Sequence, residues 1–241
     1  MRTSRIYTPQ SLAPHTAVEL DKEASHHLAT VLRAKSGDPV VLFNGEGGEY
    51  AGELSIAGKK VTVALGEFCA DDRESPLRTV LGIGISRGER FEWVLQKAAE
   101  LGVSDIYPLV TERTEVKLKG EREEKKLGRW QQVIISACEQ CGRNRLPNLH
   151  PTQSLADWQN IQADLRLVLH HRSAMSIAQL RELKPSSVAM AIGPEGGLSA
   201  AEIQQLHQQE FRNLTLGPRV LRTETAPLTA LSIFQALWGD F

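Results

Sequence analysis

Three short stretches near the carboxy end hold the residue types that a ligand site needs: Ala189 to Ser199, Leu214 to Arg219, and Val220 to Ala226. Each begins as an apolar run, the pattern of a buried strand. The first two break at Gly193-Pro194 and Gly217-Pro218. Helix-start signals follow. Ser199 with Glu202 three residues on forms a capping box, and Thr225 precedes Pro227. Two strands are thus expected to end side by side in glycine-rich turns that feed helices. In an open α/β sheet, ligands bind just outside such strand ends. Gly193, Gly196, Gly197 and Gly217 offer bare backbone on which a ligand can lie. A single Gly-Pro would be an ordinary tight turn. Two of them, flanked by Glu195, Arg219, Arg222 and Glu224, read as a binding site.

Composition bounds what such a site can serve. The chain has 241 residues, 41% of them hydrophobic and 24% charged, as in a soluble globular protein. No apolar run approaches the roughly 18 residues of a membrane span. Met1 to Arg5 lead into no signal-peptide core, so a cytoplasmic protein is expected. The net charge of −1 argues against a wholly basic nucleic-acid binder and leaves room for a local basic face.

Metal and thiol chemistry find little support. Three cysteines, Cys69, Cys138 and Cys141, make no disulfide scaffold. Cys138 and Cys141 fall on the apolar stripe Trp130, Val133, Ile134, Ala137 of a helix expected from Glu123 to Cys141, which assigns them to packing. A zinc site would need a second pair, and no metal is expected. His26 and His27 are adjacent and cannot share a helix face. Gly82, Gly84 and Gly88 are spaced one residue too far apart for a dinucleotide fingerprint.

The elements that must position the site divide in two. Residues 1–70 read as a small β domain: Val40 to Phe43, Glu49 to Ile56 and Val61 to Leu65 are strands separated by glycine turns. A short helix, His26 to Leu32, is expected ahead of them, capped by Ser25. The polar stretch Cys69 to Pro76 is a linker. From residue 76 to 241, strands at Thr79 to Ser86, Ile106 to Val110, Leu165 to His170 and Val188 to Ile192 alternate with helices, including short ones after Ser154 and over Ser176 to Leu183. That alternation predicts a parallel α/β sheet.

Ile192-Gly193-Pro194-Glu195-Gly196-Gly197 and the run Leu216 to Ala226 resemble motifs two and three of the SPOUT methyltransferases. More closely they resemble the RsmE family, which methylates N3 of a uridine in 16S ribosomal RNA. His26 to Arg33, Arg90 to Gly102 and Glu139 to Asn144 are similar to that family as well, so the likeness covers nearly the whole chain. It implies S-adenosyl-L-methionine as methyl donor, a homodimer, a trefoil knot in the second domain, and a PUA-like RNA-binding barrel in the first. It implies the small ribosomal subunit and its 16S rRNA as partner, with no membrane and no metal.

The cofactor is expected on Leu169, His170, Ile192, Gly193, Pro194, Glu195, Gly196, Gly197, Leu216, Gly217, Leu221, Arg222, Thr223 and Ala226. Adenine needs apolar walls and backbone partners, and the glycines admit the ribose and methionine parts. Loss of the N3 proton of uracil leaves charge that an arginine can stabilise. Arg143 and Arg222 are candidates for that role, with Glu139 or Glu195 as proton acceptor. Arg5, His26, Arg33, Lys35, Arg87, Lys97 and Arg113 are expected to contact RNA. Two alternatives stay open: a SPOUT enzyme acting on tRNA or 23S rRNA, and a non-catalytic RNA-binding assembly factor.

Overall fold

Short strands of alternating burial build the first part of the chain. β1 (Ser4–Tyr7), β2 (Ala17–Glu19), β3 (Pro39–Phe43), β4 (Glu49–Ala57) and β5 (Lys60–Cys69) form one sheet in the order β1-β3-β4-β5-β2. β1 runs parallel to β3, and the other pairs are antiparallel. On β5, Val61, Val63 and Leu65 point inward while their neighbours do not, the period of two that a one-sided sheet requires. They close a core with Ile6, Val18, Leu28, Val40, Leu42 and Leu54. β1 and β2 were not expected from sequence. Each contributes one buried residue, Ile6 or Val18, which is too little pattern to detect.

The computed structural model describes residues 3–116, 118–158, 160–170 and 175–241. Two units divide the chain: Met1–Glu74 with Ile135–Leu146, and Ser75–Ile134 with Pro147–Phe241. Among the described residues no helix is long and apolar enough to cross a membrane.

The helix expected at His26 begins earlier. α1 spans Lys22–His26, and its cap is Asp21, whose carboxylate accepts from Ala24 N at 2.8 Å. Ser25 is buried and its hydroxyl donates to Leu20 O instead. A wider turn follows over His27–Val31, with Leu32 N bonded to His27 O. It leaves Val31 and Leu32 59% and 46% exposed.

The second unit carries a parallel sheet. Its strands are β6 (Arg78–Gly84), β7 (Asp105–Val110), β8 (Asn148–Leu149), β9 (Gln153–Ser154), β10 (Leu165–Leu169), β11 (Met175–Ser176), β12 (Ser187–Ile192) and β13 (Arg212–Thr215). The order is β11-β13-β10-β12-β6-β7-β8, with β9 also on β7. β6 and β12 are buried almost end to end, as central strands covered on both faces must be. Gly82 is a packing glycine: a Cβ there would meet the Trp158 ring at 2.5 Å. Trp158 is 1% exposed and packs on Tyr107 and Phe211.

The start of β7 is fixed by charge. Asp105 accepts from Arg78 at 2.8 Å and from Asn148, and bonds His150 at 3.0 Å, while His150 stacks on Tyr107 at 3.8 Å. Burial alone would raise the Asp105 pKa. The bonds from His150 and Asn148 and the Arg78 charge outweigh it and hold the carboxyl below its usual value.

Helices α2 (Arg90–Glu100), α3 (Glu121–Cys141), α4 (Ile177–Leu180), α5 (Ala200–Gln208) and α6 (Thr225–Trp238) complete the chain. α2 buries Phe91, Val94, Leu95 and Ala98 and ends before Gly102, whose φ of 78° only glycine adopts at ease. α4 opens on a capping box at Ser176 and stops at Leu180 rather than at the expected Leu183. After Ser154 there is a turn, Trp158 N reaching Ser154 O, in place of the expected helix. Cys138 is buried late in α3, and burial pushes its thiol up to about 12, so it packs rather than reacts.

Candidate functional site

The carboxyl ends of β10, β12 and β13 open into a cleft of about 240 Å³, formed within the second unit. β10 supplies Leu169 and leads to His170. β12 supplies Ile192 and leads into Gly193 to Leu198. β13 supplies Leu214 and Thr215 and leads into Leu216 and Gly217. Arg219, Val220, Leu221, Thr223 and Ala226 close it on the way into α6, and Arg113 closes it from the segment after β7.

The strand ends are tied by side chains as well as by ladders. His170 N donates to Leu214 O at 3.1 Å, and the Thr215 hydroxyl donates to His170 O at 3.1 Å. Gly197 N closes a tight turn on Pro194 O at 2.8 Å. Ser199 then caps α5: its hydroxyl accepts from Glu202 N at 3.3 Å, and Glu202 accepts from Ser199 N at 2.8 Å. The third apolar run differs from its expected strand. It is loop, and Val220 is 77% exposed.

The glycines of the cleft have different jobs. A Cβ on Gly193 would lie 2.5 Å from Gly197 C and 2.6 Å from Leu198 N, so this glycine lets the turn fold on itself. Gly84 at the end of β6 gives room to Pro194, which a Cβ would meet at 2.5 Å. Gly197 and Gly217 are another matter. Their φ values are 70° and 120°, and among the described residues nothing stands within 4 Å of where a Cβ would be. Bare backbone beside open space is what a ligand lying on the main chain requires. The aliphatic wall of Leu169, Ile192, Leu216 and Leu221 suits a flat heterocycle, and the glycine turn suits a polar tail.

Glu195 lines the cleft and is already engaged. Its Oε1 accepts from Arg87 N at 3.0 Å and lies 3.5 Å from the Arg90 guanidinium. It fastens the segment after β6 to the turn after β12. Arg87 is exposed and pairs with Glu115.

All the residues expected to hold a cofactor line the cleft except Arg222, whose side chain is 80% exposed and 3.9 Å from Glu224. Glu139 and Arg143 do not line it. They belong to the first unit. Arg143 is 5% exposed and forks onto Glu74, with Nε donating at 2.8 Å. Burial works against its charge, but Glu74 more than compensates and raises its pKa. Glu139 accepts from Tyr7 N at 3.0 Å, and burial raises its pKa despite that bond.

The residues expected on RNA also separate. His26, Arg33, Lys35, Arg87 and Arg113 are exposed. Lys97 is half-buried and pairs with Glu100 at 2.7 Å. Arg5 is held inside the first unit: its side chain is 10% exposed, it pairs with Glu49 and Asn144, and it donates to Gly142 O at 3.2 Å. Arg113, expected on RNA, lines the cleft. Its place after a strand end is what marks it in the sequence.

A parallel α/β unit with a glycine-rimmed cleft at its strand ends, preceded by a small β unit, matches the architecture of RNA methyltransferases. The RNA methyltransferase domain profile matches residues 73–235, and the RNA methyltransferase PUA domain profile matches residues 20–65. A methyltransferase structure from Legionella pneumophila, in complex with bound SAM, is 44% identical over the whole of both chains with a TM-score of 0.95. The ribosomal RNA small subunit methyltransferase E of Neisseria gonorrhoeae, bound to S-adenosyl methionine, is 37% identical over the whole of both chains with a TM-score of 0.94. The enzyme of that name from Buchnera aphidicola subsp. Schizaphis graminum is 34% identical, covering 99% of this chain and 98% of its own. The chain belongs to the ribosomal RNA small subunit methyltransferase E family, the RsmE family.

Proposed function

We propose that this protein is an S-adenosyl-L-methionine-dependent methyltransferase that modifies N3 of a uridine in 16S rRNA of the small ribosomal subunit, in the cytoplasm. The observation that carries the reading is the open space beside the main chain at Gly197 and Gly217, facing an aliphatic wall. The relatives whose names give S-adenosyl methionine share this chain end to end.

When bound, the cofactor supplies an electrophilic methyl group on a sulfonium. The chain's own residues hold it in line with the nucleophile. Leu169, Ile192, Leu216 and Leu221 take the adenine. The backbone at Gly197 and Gly217 takes the ribose and methionine parts. Glu195 acts by locking the turn to Arg87 and Arg90. Of the arginine candidates, Arg222 keeps its guanidinium in solvent beside the cleft-lining segment, so we place it on the charge that develops on the uracil. Glu139, with its raised pKa, remains the candidate proton acceptor, and Arg143 the second arginine.

In this reading residues 1–70 act as the RNA-holding PUA-like barrel and residues 76–241 as the methyltransferase domain. His26, Arg33, Lys35 and Arg87 contact phosphate. The homodimer and the trefoil knot belong to the same proposal and follow from the family. The test is transfer of labelled methyl to unmodified small subunits, with large subunits and tRNA as controls, followed by digestion and mass spectrometry of the nucleosides. Label in 3-methyluridine from the small subunit is the expected result. Label only in tRNA or 23S rRNA would move the protein to another substrate, and binding of RNA without transfer would make it an assembly factor.

A further inference from the structure

Arg113 has a position that a phosphate-reading surface residue does not need. Its stem runs over Gly196, where a Cβ would come within 3.1 Å of Arg113 Cβ and 3.3 Å of its Cδ. Its Nη1 donates to Gly196 O at 2.7 Å. The segment that carries it is fastened independently. Thr111 N donates to the Thr114 hydroxyl at 2.9 Å, and Glu112 N donates to Glu202 Oε1 at 2.8 Å, on the carboxylate that also caps α5. The guanidinium is therefore preorganised at the cleft wall. One of its five N–H donors is committed to Gly196, and the fork geometry of the rest suits a carboxylate.

We propose that Arg113 binds the carboxylate of the methionine part of the cofactor. The inference rests on the methyl-donor reading above and assigns one of its contacts. Among the described residues two arginines line the cleft, Arg113 and Arg219. Arg113, carried by the segment after β7, is the one bonded to the Gly196–Gly197 turn, where the reading above places the charged tail. Glu195, the acid of that turn, is already bonded to Arg87 N and beside Arg90, so it does not neutralise Arg113.

The experiment is calorimetric titration of wild type, Arg113→Ala and Arg113→Lys with two ligands. S-adenosylhomocysteine carries the amino-acid tail, and 5′-methylthioadenosine lacks it. Arg113→Ala should weaken the first by about tenfold or more, the scale of a lost charge-assisted contact, and leave the second within about twofold. Arg113→Lys should fall between. Equal losses for both ligands would make Arg113 a prop for Gly196 and overturn the proposal. Unchanged S-adenosylhomocysteine binding with a shallower salt dependence of RNA binding would return Arg113 to the phosphate and also overturn it. Failure of wild type to bind either ligand would sink the methyl-donor reading itself, and this assignment with it.

Discussion

The end of α3 and the turns after β12 and β13 look alike in sequence: each sets glycine close to charged residues. In the folded chain they are opposites. Arg143 is buried with Glu74 on its fork, Glu139 accepts from Tyr7 N, and Arg5 is shared among Glu49, Asn144 and Gly142. Most of the polar groups there satisfy one another, with Arg5 Nε buried without a partner among the described residues. Around Gly197 and Gly217 the backbone faces space that none of the described residues fills. A cluster of charge points more strongly to a binding site where the fold leaves capacity unmet. Where partners are supplied internally, the same residues have a structural role whether or not they also react.

The largest effect should come from breaking the first region. Arg143→Ala strands Glu74 and should lower stability by about 3 kcal/mol, seen as an early melting transition. Single-turnover methyl transfer by the fraction still folded separates the roles. A stable variant with a collapsed rate would turn Arg143 back into a catalytic residue and erase the contrast.

Next in size is the cleft. Gly193→Ala forces a Cβ onto Gly197 and Leu198, and overpacking of this kind costs about 1–3 kcal/mol. Much of that should appear as weaker S-adenosylmethionine binding, by roughly 5- to 150-fold on the same scale. Alanine at Gly58, where φ is 63° and none of the described residues is within 4 Å, should leave cofactor binding unchanged.

A smaller effect concerns pH. The folded pKa of Asp105 lies below its unfolded value, so its contribution is full above about pH 4 and fades as pH falls through the folded pKa. Asp105→Asn should therefore melt below wild type at neutral pH, with the gap closing in acid. A gap constant with pH would mean that Asp105 is neutral in the fold.

The smallest is Glu139→Gln. A raised pKa means the folded state favours the protonated form, an advantage lost as pH rises through that value. Glutamine keeps an acceptor for Tyr7 N, so melting at pH 8 should equal or exceed wild type. If transfer then fails in a fully folded variant, Glu139 is the proton acceptor.

Much of this was readable beforehand. β6 and β12 announced themselves as unbroken apolar runs, and Ser199 with Glu202 announced α5, because these signals are local. β1, β2 and the cap at Asp21 were missed because each depends on one or two residues. The place of Arg113 was half legible: a cation after a strand end is visible, but which wall it joins is not.

The sequence by itself determined the parallel α/β pattern, the family, and the glycine turns of the cleft, since periodicity and φ preference are written residue by residue. Only the tertiary structure decided which glycines make room for protein and which stand beside open space, and which charges are already paired. Those outcomes depend on atoms brought together from distant parts of the chain. Gly84 against Pro194 and Arg143 against Glu74 are contacts that no local pattern encodes.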